Sequence, residues 1–259
     1  MFQEEVNGVA AAAMKKVALM NNKPLSYLLL SMLAGMFVGL GILLIFTIGG
    51  LLSSAGFAGT KIVMGISFGI ALSLVIMAGS ELFTGNNFVM TIGMYQNKVS
   101  VEDAVKLWFF CWIGNLIGSV ITAILFSQSG LNNGAVAEFI AATTLTKTTL
   151  PMGALLIRGL LCNVLVCLAV WCGFKLKSES GKLIMIFWCL FAFITTGFEH
   201  SVANMTLLAI GLMEPMGQAI TLSGYFYNLL FVTVGNMLGG ILFVAVPYAI
   251  TAGKEPVKQ

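Results

Sequence analysis

Charge is scarce in this chain: Asp, Glu, Lys and Arg make up 9 % of its 259 residues against 59 % hydrophobic, and the mean hydropathy is +0.99. A soluble globular domain, which carries about 25 % charged residues, is excluded on that ground. Nucleic-acid binding, which needs a basic face, gets no support either. Histidine is scarcer still, with one copy, His200. The five cysteines (Cys111, Cys162, Cys167, Cys172, Cys189) all sit in apolar segments. Cys162, Cys167 and Cys172 spiral off any common helical face, so they are expected to pack rather than to form disulfides or hold a metal. No metal triad and no nucleophile beside a base occurs, which makes an enzyme the weakest function class.

What is there is a series of apolar runs long enough to span a bilayer, each needing about 20 residues. The first runs from about Leu25 to Leu51, and the second, Ile62 to Met94, is too long and too broken for one straight helix. The third covers about Ala104 to Phe126, and a longer polar loop, Ser127 to Leu150, follows. The fourth runs from Met152 to Phe174, the fifth from Leu183 to Met213 with an interruption, and the sixth from Tyr225 to Ile250. Ahead of them, Val6, Val9, Ala10, Ala13, Val17 and Met20 recur at helical spacing, predicting an amphipathic helix over residues 1–24 that either anchors at the interface or covers a cytoplasmic mouth. Glu4 and Glu5 precede Lys15 and Lys16, and the apolar run that follows exceeds a signal-peptide core, so no cleavage is expected.

The interrupted runs match each other. Gly79, Glu81 and Asn86 recur as Gly197, Glu199 and Asn204 at an offset of 118 residues, and Gly114-Asn115-Leu-Ile-Gly118 recurs as Gly235-Asn236-Met-Leu-Gly239 at an offset of 121. The expected architecture is therefore an all-α membrane protein of six transmembrane helices in two inverted three-helix repeats (25–127 and 151–251, together a domain over 25–251) with two interrupted helices, followed by a tail over 252–259. Six spans place both termini on one side. Setting that side in the cytoplasm puts ten of the thirteen Lys and Arg residues inside, leaving only Lys61 and Lys147 outside and Arg158 within a span.

Glu199, His200, Ser201 and Asn204 in one break, and Glu81, Thr84, Asn86 and Asn87 in the other, are polar groups at membrane depth, where by default such groups mark a pathway. Glu81 and Glu199 immediately precede the second half-helices and are read as break-loop supports able to cap exposed N–H groups, or as pathway residues. Small-residue pairs such as Gly35/Gly39 and Gly114/Gly118 let helices approach within or between protomers, and the sequence does not decide which.

Met77-Ala-Gly-Ser-Glu-Leu-Phe-Thr-Gly85, Gly159-Leu-Leu-Cys-Asn-Val-Leu-Val-Cys-Leu-Ala169 and Gly197-Phe-Glu-His-Ser-Val-Ala-Asn-Met205 resemble the signatures and the central histidine segment of the formate/nitrite transporter family. The resemblance covers essentially the whole chain. It implies an aquaporin-like protomer, assembled as a homopentamer in the cell (inner) membrane, with one pore per protomer for a small monovalent anion and no bound cofactor. It implies Leu82 and Phe193 as pore constrictions, Thr84 and His200 as polar pore groups, and Lys147 as the lysine near the outer vestibule, sixteen residues before Asn163 of the second signature. It also implies Asn236 as a residue placed to hydrogen-bond near His200, and the N-terminal helix as a pH-sensitive gate; Asn163, Asn204 and Asn236 are thus expected beside Thr84 and His200 as polar pore groups. Within the family, Thr84-Gly-Asn-Asn87 and Arg158 look closest to the hydrosulfide channel branch, so hydrosulfide is the expected substrate, with formate and nitrite related. A proton-coupled transporter of formate or nitrite and a neutral-solute pore remain as rival readings.

Overall fold

The computed structural model describes residues 1–254, which contain helices and no strand. The amphipathic helix is α1 (Gln3–Asn22), and Lys23 alone separates it from α2 (Pro24–Ser54), which starts with a proline where a missing N–H is harmless. The broken second run is α3 (Thr60–Gly79) and α4 (Phe83–Tyr95), followed by the full span α5 (Val101–Gln128). The second half is α6 (Gly134–Thr149), α7 (Met152–Lys175), α8 (Glu179–Thr196), α9 (Ser201–Met213) and α10 (Leu222–Ala252). Six of these helices, α2, α3, α5, α7, α8 and α10, are long and apolar enough to cross a membrane. Leu29, Leu33, Leu40, Ile62, Ile66 and Phe109 are among the large apolar side chains left exposed on their outer faces, as lipid contact allows. Of the tail over 252–259, residues 255–259, with Lys258, lie outside the described residues.

One segment differs from the sequence expectation. Ser127 to Leu150 is not a polar loop but contains α6, whose Val136, Ala137, Ile140, Ala141 and Thr144 are buried at helical spacing against α2 and α9. Its five threonines and exposed polar edge hide that period from a reading by composition. Each half of the molecule thus opens with an amphipathic helix, α1 packing on α4 and α6 on α9.

The glycine pairs work inside the protomer. A Cβ on Gly35 would run into the Asn115 carbonyl, one on Gly118 into that of Met32, and ones on Gly235 and Gly239 into the carbonyls of Leu156 and Leu160. The α2/α5 and α7/α10 crossings are consequently backbone-to-backbone, which fixes the spans around both breaks.

Candidate pore and its vestibules

Both breaks are built the same way. Gly79 and Gly197 each have φ = +82°, which removes the chain from its helix at little strain only for glycine. The next N–H, of Ser80 or Phe198, returns to the carbonyl five residues earlier, of Val75 (3.0 Å) or Phe193 (3.0 Å), closing the helix end. The following extended residues find partners on the neighbouring span: Glu81 N donates to Leu30 O at 3.2 Å, and Glu199 N donates to Arg158 O at 3.2 Å. One asparagine then locks each break. Asn115 Oδ1 accepts from Phe83 N at 2.9 Å while its Nδ2 donates to Ser31 O (2.7 Å) and Glu81 O (2.8 Å). Asn236 Oδ1 accepts from Ser201 N at 2.9 Å while its Nδ2 donates to Gly159 O (2.7 Å) and Glu199 O (2.9 Å). Backbone groups freed at membrane depth are thereby satisfied without water.

Glu81 and Glu199 do not cap the half-helices. Glu81 is held at 2.7 Å by Lys16 Nζ of α1 and at 2.9 Å by Asn86 Nδ2. Glu199 is held at 2.7 Å by Lys147 Nζ of α6 and at 2.7 Å by Asn204 Nδ2. The carboxylates turn away from the half-helix N-termini because a cation and an amide offer more than a backbone N–H that the asparagines already satisfy. Nothing in the sequence singles out Lys16 as a partner of Glu81. Its equivalence to Lys147 could be seen only once α6 was known to be a helix.

Between the breaks lies a small chamber, with a free volume of about 10 Å3, bounded by Val38, Phe68, Ala71, Leu72, Leu82, Val166, Leu190, Phe193 and His200. That is about the room for one water molecule. Its only polar side chain is His200. Phe193 stacks on the imidazole with ring centroids 6.0 Å apart and meets Phe68 edge-on at 5.6 Å. His200 Nδ1 accepts the Ala203 N–H at 3.1 Å and so caps α9. An accepting Nδ1 leaves the proton on Nε2, which faces Thr84 Oγ1 at 2.9 Å and donates to it. Protonating the ring at Nδ1 would remove a cap, a loss of about 1 kcal/mol before any charge is counted.

The chamber shares Leu72 and Leu82 with a vestibule of about 480 Å3 on the Lys16 side, and shares His200 with one of about 380 Å3 on the Lys147 side. The two vestibule walls correspond position by position. Gly79, Glu81, Leu82, Asn86 and Val89 face one, and Gly197, Glu199, His200, Asn204 and Leu207 face the other. The spans cross over, with Leu30 and Phe174 lining the first vestibule where Arg158 and Phe46 line the second.

Leu82, Phe193, Lys147, His200 and Asn204 thus reach the cavities, with Glu81 and Glu199. Thr84, Asn163 and Asn236, expected as polar pore groups, line none of the three and are fully buried. Asn163 Nδ2 donates to Thr84 O (3.2 Å), Asn87 Oδ1 (3.2 Å) and Asn236 O (2.7 Å), which ties α4, α7 and α10 together beneath the histidine. These three meet protein partners rather than open space: Thr84 Oγ1 faces His200 Nε2, and the two asparagine Nδ2 groups bind mainly backbone carbonyls.

The model of the formate/nitrite transporter family matches residues 3–250. The chain belongs to this family. Within it, the nitrite transporter NirC of Salmonella typhimurium is 44 % identical over 249 residues, 96 % of this chain and 91 % of that protein. A solved family member described as an FNT family ion channel superposes with a TM-score of 0.92 at 42 % identity, covering 97 % of this chain and all (100 %) of the other. A pentameric formate channel with formate bound superposes with a TM-score of 0.75 at 26 % identity, over 87 % of this chain and 96 % of the other. The family relationship places the six apolar helices in a membrane and the fold among channels. It gives the hydrosulfide expectation no support.

Proposed function

We propose that the protein is a passive pore for small monovalent anions of weak acids, with nitrite as the first candidate, formate the second and hydrosulfide the third. The order follows the names of similar family members. The observation that carries the reading is the single-water chamber, apolar except for His200, set between two lysine-bearing vestibules. Leu82 and Phe193 are its constrictions in this reading. A bare anion there would lose its hydration for almost nothing, a penalty that in an apolar medium reaches tens of kcal/mol. A weak acid avoids it by crossing as the neutral species.

The proton comes from vestibule water in this reading, since both ring nitrogens of His200 are engaged and a relay through Nδ1 would release the α9 cap. His200 Nε2–H offers the crossing molecule a hydrogen bond in exchange for the one to Thr84. The reading also sets the Lys16 vestibule toward the cytoplasm, following the lysine distribution, and assembles the protomers as a pentamer in the cell membrane, as in the formate channel neighbour. The test is nitrite and formate flux through His200→Asn in proteoliposomes across pH 5 to 8. Flux that follows the pH profile of the wild type supports a hydrogen-bonding histidine. A profile flattened by the substitution would make His200 the proton carrier.

A further inference from the structure

We propose that Arg158 and Lys61 form an anion-collecting site for small monovalent anions in the Lys147 vestibule, present on that face of the pore only; the assignment rests on the pore reading above. The near-identity of the two walls isolates it. Leu30 O and Arg158 O accept the equivalent N–H groups of Glu81 and Glu199, so leucine and arginine occupy the same place on the two sides, each lining its vestibule.

The ion pairs sharpen the contrast. Lys147 is neutralised by Glu199 and Lys16 by Glu81, each at 2.7 Å, so neither lysine has a free charge to offer. The remaining cation of the Lys16 wall, Lys182, lies 3.3 Å from Glu179. Lys61 and Arg158, by contrast, have no ion-pair partner among the described residues, and both line the Lys147 wall. The Lys147 wall thus carries two positive charges beyond its buried pair, both without an ion-pair partner among the described residues, whereas the Lys16 wall carries one, Lys182, which is paired with Glu179 beyond the wall. A cleft lined by one sign of charge, with apolar walls, focuses its field and raises the local concentration of counter-ions.

A passive pore imposes a condition on how this shows. With no voltage, permeability at low concentration is the same from either face, whatever the charge layout. Saturation is not so bound, and a collecting site on one face lowers the half-saturating concentration from that face alone. The experiment uses the full chain in proteoliposomes of one orientation, verified by protease access to an N-terminal tag, with formate as the probe. Wild type is expected to half-saturate at a concentration at least about threefold lower from the Lys147 face than from the Lys16 face, and the Arg158→Gln/Lys61→Gln double variant to show no difference. The variant's low-concentration permeability is expected to fall about tenfold at low ionic strength and to meet that of wild type at 1 M salt, where the Debye length is about 3 Å. Arg158→Lys, which keeps the charge, is expected to behave as wild type.

Intact conduction with equal half-saturation from both faces of the wild type, or a double variant that keeps the wild-type salt dependence, would overturn the assignment alone. A wild-type protein passing no weak-acid anion would overturn the pore reading and the assignment together.

Discussion

At the first break the residue entering the half-helix is Leu82; at the second, in the same backbone conformation and facing the same chamber, it is His200. Around them nearly everything is shared: the glycine at φ = +82°, the carboxylate held by a lysine and an asparagine, and the locking asparagine on the last span of the half. Duplication supplies a frame that can hold two open helix ends inside a membrane. A few departures from the duplicate supply the chemistry, with a hydrogen-bonding ring on one side of the chamber and a hydrocarbon on the other.

The frame itself gives the largest expected effect. Asn115→Leu and Asn236→Leu each strand buried backbone groups, so both are expected to lose about 3 kcal/mol or more of stability, read as a lower thermal aggregation midpoint in detergent. If only one of them does so, the two breaks are not equivalent in energy although they are in geometry.

The ion pairs come next and should separate the breaks. Lys147→Met leaves Glu199, with a side chain only 2 % exposed, facing an uncompensated burial, while Lys16→Met leaves Glu81 at 10 % exposure. The first is expected to destabilise by about 3 kcal/mol and the second by less. Equal losses in a thermal assay would show that exposure does not govern them.

His200→Leu makes the second break a copy of the first. The expected outcome is a folded protein whose nitrite flux falls about 100-fold, equivalent to about 2.7 kcal/mol on the barrier, because the chamber is then wholly apolar. Flux at the wild-type level would remove the histidine from the account. The smallest effect is predicted for Gly79→Ala and Gly197→Ala. No atom lies within 4 Å of an added Cβ at either place, so only backbone strain remains, about 1 kcal/mol each by thermal melting.

The breaks, the repeat and His200 were legible in the sequence because glycine, carboxylate and asparagine recur at a fixed offset in a background with almost no charge. The family was legible because the segments 77–85, 159–169 and 197–205 resemble its signatures. The first helix of each half was not: α1 and α6 share a lysine and little else, and polar threonines mask the period of α6. The direction of the Glu81 and Glu199 side chains was not legible either, since it depends on cations brought in from those two helices. Thr84, Asn163 and Asn236 are expected as pore groups in the sequence, and their burial against protein partners, which depends on how four helices meet, could not be seen there. Arg158, on which the hydrosulfide expectation rests in part, lines a vestibule and not the chamber.

The most direct test of the central claim, that the chamber passes weak acids as neutral species, is uptake by sealed proteoliposomes of nitrite, formate, hydrosulfide and chloride, with and without an imposed proton gradient. The account predicts rapid downhill uptake of the three weak-acid anions with no imposed gradient, and chloride at least about tenfold slower, since its acid is too strong to form a neutral species here. Chloride crossing as fast as nitrite, or nitrite crossing only when a proton gradient is imposed, would contradict it.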